Sequence, residues 1–305
     1  MSLSGLKPLP ASLAIAAFVA LMTWIANSIH LPFVLFPELG ALGLVIFSDP
    51  RHPWARSPVL LMLTPFLTGV LGLMLTREMD YGLVAVLLNV AGSLLLISGL
   101  RSPIAPALSA GLLPLVLEIR DWSYPFSILI GTGGLALVIL LRTHLHREHR
   151  KQDSPADGPT MPPLRQWILP FALFLLGGLG LVQLTGSRLV LFPPLLVIAF
   201  ETIVHRLHCP WRGRYGAVLL VANASALVGL ILVKLLGVVP AASFLAVLAT
   251  LALLHLTRLT FPPALGLALL PFVIPQPQLS YPLFTTIGSL WMILVVVFLE
   301  ELRRQ

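Results

Sequence analysis

The chemistry of this 305-residue sequence has to be sought among few residues, because most charged side chains lie between apolar runs and only a handful of polar ones lie inside them. Glu38 stands in "LFPELGALGLVIF", Asn89 in "LVAVLLNVAG", Gln183 in "GLGLVQLTG", Glu201 in "VIAFETIVH" and Asn223 in "VLLVANASAL". Such a group in hydrocarbon costs free energy unless it faces a cavity or a partner, so each marks a pathway or a helix contact. Glu38 follows Pro37 at the start of an apolar run, where a helix dipole favours a carboxylate. It is either a cap or a pathway residue. As a pathway residue it would repel anions and suit proton coupling or a cationic solute.

A second signal is written twice. "RSPIAPALSAGLLP" begins at Arg101 and "RLTFPPALGLALLP" at Arg258, identical at 7 of 14 positions. Each is an arginine followed by a helix start made by proline. Such a start has backbone N–H groups without intrahelical acceptors and the positive end of the helix dipole, which together attract an anion. Proline at the first positions fixes the chain direction, and small residues let a ligand or another helix approach. Candidate pathway residues are therefore Arg101, Pro106 and Ala107, their counterparts Arg258, Pro262, Pro263 and Ala264, and Glu38, Asn89 and Asn223. Arg101 and Arg258 would draw an anion to each entrance, or simply snorkel to headgroups. Asn89, Asn223, Glu38 and Gln183 lining one space would favour transport, whereas separate helix contacts would favour a scaffold.

Glu201, His205, His208 and Cys209 have metal-like spacing, but a Glu201 to His205 hydrogen bond one helical turn apart is the simpler expectation. His144, His146 and His149 fall in a basic, solvated segment. No metal and no cofactor is expected, and no catalytic residue.

The elements that position these residues follow from composition. The sequence is 57% hydrophobic and 10% charged, against about 25% charged in soluble domains. Apolar blocks of about 14 to 22 residues alternate with Pro, Gly and charges, which predicts an all-α polytopic membrane protein whose partner is the lipid bilayer. The net charge of +7 comes from 19 basic residues scattered over short loops, so no nucleic-acid stripe forms. The single Cys209 excludes an internal disulfide.

Matches at an offset of 157 continue beyond the proline stretches: Pro53 and Trp54 with Pro210 and Trp211, "VLGLML" at Val70 with "LVGLIL" at Leu227, "SYPF" at Ser123 with "SYPL" at Ser280. The expectation is two tandem repeats of about six apolar helices each, in parallel orientation, some helices short or proline-broken. The first membrane repeat is 1–144, a polar linker is 145–165, and the second repeat is 166–305. The second and fifth segments of each repeat have only about 16 residues and could be re-entrant. With twelve crossings, fifteen Lys and Arg fall on the side of the N-terminus and four on the other. That predicts cytoplasmic N- and C-termini, an even number of crossings per repeat and a cytoplasmic linker, in a bacterial inner membrane.

"FPELGALGLVIFSDPRHPWARSP" from Phe36, followed by "RSPIAPALSAGLLP" and later "TFPPALGLALLP", resembles the HPP family of integral membrane proteins. Pro262, Pro263 and Ala264 stand where that family has Pro-Pro-Ala, while Phe261 replaces its histidine; the first repeat keeps only Pro106 of the motif. The resemblance implies transport of a small solute, with a small anion such as nitrite among the candidates, and does not give the substrate. A secondary transporter or channel-like carrier is therefore the leading expectation. No P-loop is present, so no ATP-driven pump is expected. A non-transporting scaffold or assembly factor is the alternative, and an intramembrane lipid-modifying enzyme a weaker one, because the helices lack clustered carboxylates. The protein is expected not to be an enzyme. Association of two chains is left open.

Overall fold

A computed structural model describes residues 8–145, 162–206 and 209–302. Within them the chain forms twelve α-helices: α1 (Pro8–Ser28), α2 (Leu39–Ser48), α3 (Pro58–Glu78), α4 (Leu83–Gly99), α5 (Ala107–Leu117), α6 (Ser123–Leu145), α7 (Ile168–Thr185), α8 (Pro193–Ile203), α9 (Tyr215–Leu236), α10 (Pro240–Leu256), α11 (Pro263–Leu269) and α12 (Tyr281–Leu302). Six of them, α1, α3, α6, α7, α9 and α12, are long and apolar enough to cross a membrane. Prolines set several starts: Pro58, Pro193, Pro240 and Pro263 occupy first-turn positions, where the missing N–H removes no helix bond. Most of the expected linker, with His146 and His149, lies outside the described residues, as do Lys7 and His208.

The short segments nevertheless run from one end of the bundle to the other. Alongside α6, Gly131 faces the Val34 carbonyl and Arg142 donates to the Ile46 carbonyl at 3.4 Å, so residues 34–46 run parallel to 131–142. Alongside α3, Trp54 Nε1 donates to Pro103 O at 2.7 Å, Thr68 Oγ1 to Ala107 O at 2.7 Å, and Arg77 to Arg120 O at 2.9 Å. The segment around α5 thus follows α3 along its length. Irregular backbone extends each short helix along its long neighbour, and such backbone is tolerated at membrane depth only where protein buries it. Leu35, Phe36, Ile104 and Ala105 are indeed buried.

Several contacts recur at the 157-residue offset. Tyr124 and Tyr281 donate their hydroxyls to Ala110 O and Leu267 O, at 2.5 and 2.7 Å. Gly72 and Gly229 lie against the backbone of Gly111 and Ala268. Each pair fixes a short helix against its long neighbours. Other contacts differ between the halves. α1 crosses to α10, where Thr23 Oγ1 donates to Ser243 Oγ at 2.7 Å and Asn27 to Val238 O at 2.9 Å. α7 packs instead on α12, through Gly177 against the Trp291 ring and a bond from Trp291 Nε1 to Phe174 O at 2.9 Å.

Candidate functional site

The starts of the short helices meet in the middle of the bundle. Gly40 on α2 packs against Leu265 and Leu269 of α11, and the Glu38 carboxyl lies against Gly266. α5 packs on α8. α2 and α8 run from this meeting point toward one end, and α5 and α11 toward the other, so their positive dipole ends converge. Ser48 closes α2 ten residues after Glu38, which at 1.5 Å per residue puts Glu38 about 15 Å in, half of a hydrocarbon core of about 30 Å.

A cavity of about 510 Å³ connects this point to the loops at the end of α2 and α8. Its inner wall includes Glu38, Ala41, Pro106, Pro262 and Pro263; its mouth carries His52, Trp54, His205 and Trp211. At about 30 Å³ per water, it has room for a small solute with its hydration. Leucines and valines make up much of the rest. Among the described residues no Lys or Arg lines it, whereas two carboxyls (Glu38, Glu201) and three imidazoles (His52, His205, His255) do.

Glu38 is fully buried, and neither carboxyl oxygen has a hydrogen-bond partner of normal geometry; Ser109 of α5 is the polar side chain beside it. It precedes α2 in the capping position yet makes no side-chain cap bond. The amide of Leu39 reaches Phe36 O and that of Leu42 reaches Glu38 O, leaving Gly40 and Ala41 between them without a backbone acceptor. α5 differs from expectation here: its first amides, of Ala107, Leu108 and Ser109, bond to Ile104, Ala105 and Pro106 carbonyls in tight turns. The proline-started helix therefore offers its dipole but not free donors at those three amides.

The other sequence candidates take different places. Arg101 and Arg258 are exposed and stand outside the cavity wall. Both occupy left-handed backbone, φ 49° and 50°, at the ends of α4 and α10. Ser102 N to Ile97 O and Leu259 N to Leu254 O close the turn, the bond pattern of a helix terminus that favours glycine. Arg214 caps α10 by donating to Thr257 O and Arg258 O. Ala107 and Ala264 are buried near the meeting point. Asn89 is buried against Gly111, with Ser93 donating to it at 3.2 Å. Asn223 ties α9 to Pro282 and Thr286 of α12, and Gln183 is exposed. Of the four polar residues expected to share a lining, only Glu38 reaches the cavity.

Glu201 and His205 form the expected bond, at 3.1 Å. Cys209 is buried beside Thr202, which also accepts from Trp211 at 3.0 Å. Among the described residues no group of three or more His, Cys, Asp or Glu is arranged to hold a metal. His52 lies in the loop between α2 and α3, where burial pulls its basicity below the ordinary imidazole range, against the opposing pull of Asp49 and Glu201. Its Nδ1 accepts from Trp54 N at 3.2 Å. Phe261 lies buried with its edge on the Trp211 ring, centroids 5.1 Å apart, an apolar seal where the resembling family has histidine.

At the opposite end, sequence reading missed Arg188. It pairs with Glu118 at 2.7 Å, donates to Leu115 O at the end of α5, and stands 4.9 Å over the Tyr81 ring. One side chain of the second half thus clasps the first.

Residues 159–305 match the family model described as HPP, transmembrane region. The second half, the part that holds "TFPPALGLALLP", is thus similar to the HPP family of membrane proteins. No curated protein and no solved structure matches the chain.

Proposed function

We propose that this HPP-type helix bundle is a secondary transporter or channel-like carrier for a small solute, a small anion such as nitrite being the leading substrate, and not an enzyme. The observation that carries this reading is the convergence of short helix starts on a cavity open to the loops at one end. Transporters of anionic solutes place their sites near the midplane at the starts of broken helices. Such ends carry partial positive charge in a low-dielectric setting, so an anion needs no Lys or Arg there.

The paired contacts at an offset of 157 support two tandem parallel repeats, with the meeting point on their axis. The cavity opens where Arg51, Arg56, Arg206, Arg212 and Arg214 are concentrated, which by the positive-inside rule is the cytoplasmic end. The differences between the halves, α1 on α10 but α7 on α12, leave them free to do unequal work.

Thiol labelling tests the pathway. In a Cys209→Ser background, a cysteine placed at Ala41 should react with a small membrane-impermeant thiol reagent from the cytoplasmic side only, and more slowly when solute is present. No reaction from either side, with a cysteine in the loop at His52 reacting normally, would mean that the cavity is not a water-filled route. The separate helix contacts of Asn89 and Asn223 are the observation that favours the scaffold alternative, and that negative result would shift weight to it.

A further inference from the structure

Glu38 and the uncapped start of α2 form one constellation. The carboxyl is fully buried with Ser109 beside it but no hydrogen bond of normal geometry, it lines the cavity, and it turns from its own helix toward α5 and α11. Within three residues, the amides of Gly40 and Ala41 lack backbone acceptors, and Ala41 lines the same cavity. A buried carboxylate without a charged partner or well-formed hydrogen bonds is costly, and so is a buried helix end without acceptors. A carboxylate also opposes any anion drawn to the same converging dipoles. Protonation removes that opposition, and a neutral carboxyl can donate a hydrogen bond.

We propose that Glu38 is the proton-binding residue of this site, and that a small monovalent oxyanion binds beside it only when Glu38 is protonated, so that one proton and one anion are carried together. The inference rests on the transport reading above. The anion accepts from the Glu38 hydroxyl and from the amides of Gly40 and Ala41. The step breaks no covalent bond in the solute: a proton passes from cavity water to a Glu38 oxygen, and on the opposite side both ions leave, so net charge moved is zero. Without its proton, the Glu38 carboxylate is itself the anion in the field of the helix starts and excludes a second one.

The groups that face Glu38 leave this role to it. α5 contributes Ser109 and α11 contributes Gly266. α12 contributes Tyr281, whose hydroxyl is engaged with Leu267 O. Among the described residues, His52, His205, His255 and Glu201 are the titratable groups elsewhere along the cavity wall. They stand on the route by which a proton reaches Glu38.

Proton and anion affinities must then be reciprocally linked. The test is nitrite binding by calorimetry to purified full-length protein at a series of pH values, for the native chain, Glu38→Gln and Glu38→Asp. Native affinity should fall about tenfold per pH unit once Glu38 loses its proton, the slope of a single linked proton. Glu38→Gln should bind with no such slope, and Glu38→Asp should regain it. A slope retained in Glu38→Gln, a native affinity independent of pH, or binding that follows sodium in place of protons would each overturn the proton role while leaving transport standing. Absence of nitrite binding by the folded native protein at every pH would instead sink the anion reading itself, and the proton role with it.

Discussion

Replacing Gly229 by alanine tests how tightly the site is held. A Cβ there would stand 2.7 Å from the Ala268 carbonyl carbon and 2.9 Å from its Cα, closer still to the oxygen, where ordinary contact begins at 3.4 Å. The obstacle is backbone, which cannot swing aside, so α9 and α11 must part by at least about 0.7 Å. Overpacking of this kind costs about 1–3 kcal/mol. The cost falls on the helix whose start helps to form the site. Cys209 supplies the assay: it is the only cysteine and is buried, so its reaction with a thiol-reactive dye during heating reports unfolding. Gly229→Ala should lower the labelling midpoint by several degrees, and Gly72→Ala, facing the Gly111 backbone in the same way, by a similar amount. Gly180→Ala, with nothing within 4 Å of its added carbon, should not lower it. Equal midpoints for Gly229→Ala and Gly180→Ala would refute the close backbone packing on which the site's geometry depends.

Three other outcomes follow from the same structure. Arg101→Gly and Arg258→Gly remove left-handed strain while adding chain entropy, so each should leave stability within about 1 kcal/mol of native or raise it, read as a labelling midpoint that does not fall by more than a few degrees, and the double Gln variant should keep solute flux. Arg188→Ala should destabilise by about 1 kcal/mol or less, since Glu118 is largely exposed; a double-mutant cycle with Glu118→Gln should show the coupling. His52 binds its proton less readily folded than unfolded, so the unfolded state takes up more protons as pH falls below the ordinary imidazole value of 6.5. Stability should drop over that range, less so in His52→Asn, as read by thermal unfolding against pH.

Helix positions were legible in the sequence because prolines and loop charges punctuate the apolar runs: Pro58, Pro193, Pro240 and Pro263 stand at observed starts. The offset of 157 likewise foreshadowed the paired tyrosine and glycine contacts. What could not be read was which polar residues share a space. Asn89 and Asn223 look equivalent to Glu38 by local hydrophobicity, yet their rotational positions aim them at Gly111 and at α12. Arg101 and Arg258 looked like anion lures because they precede prolines. Their backbone instead closes α4 and α10, a conformation that side-chain type does not disclose. The exchange of α1 onto α10 and the Arg188 clasp depend on long-range packing and leave no local pattern. Glu38 was visible as a buried acid; that it does not cap α2 was not.

The most direct test of the account is flux into liposomes holding purified protein, with nitrite and nitrate as solutes, compared between the native chain and Ala41→Phe, which fills the cavity beside Glu38. Saturable uptake above protein-free liposomes, abolished by Ala41→Phe while the protein remains folded by Cys209 labelling, is the expected result. Uptake no greater than in protein-free liposomes, or uptake untouched by the bulky residue, would contradict transport through the central cavity.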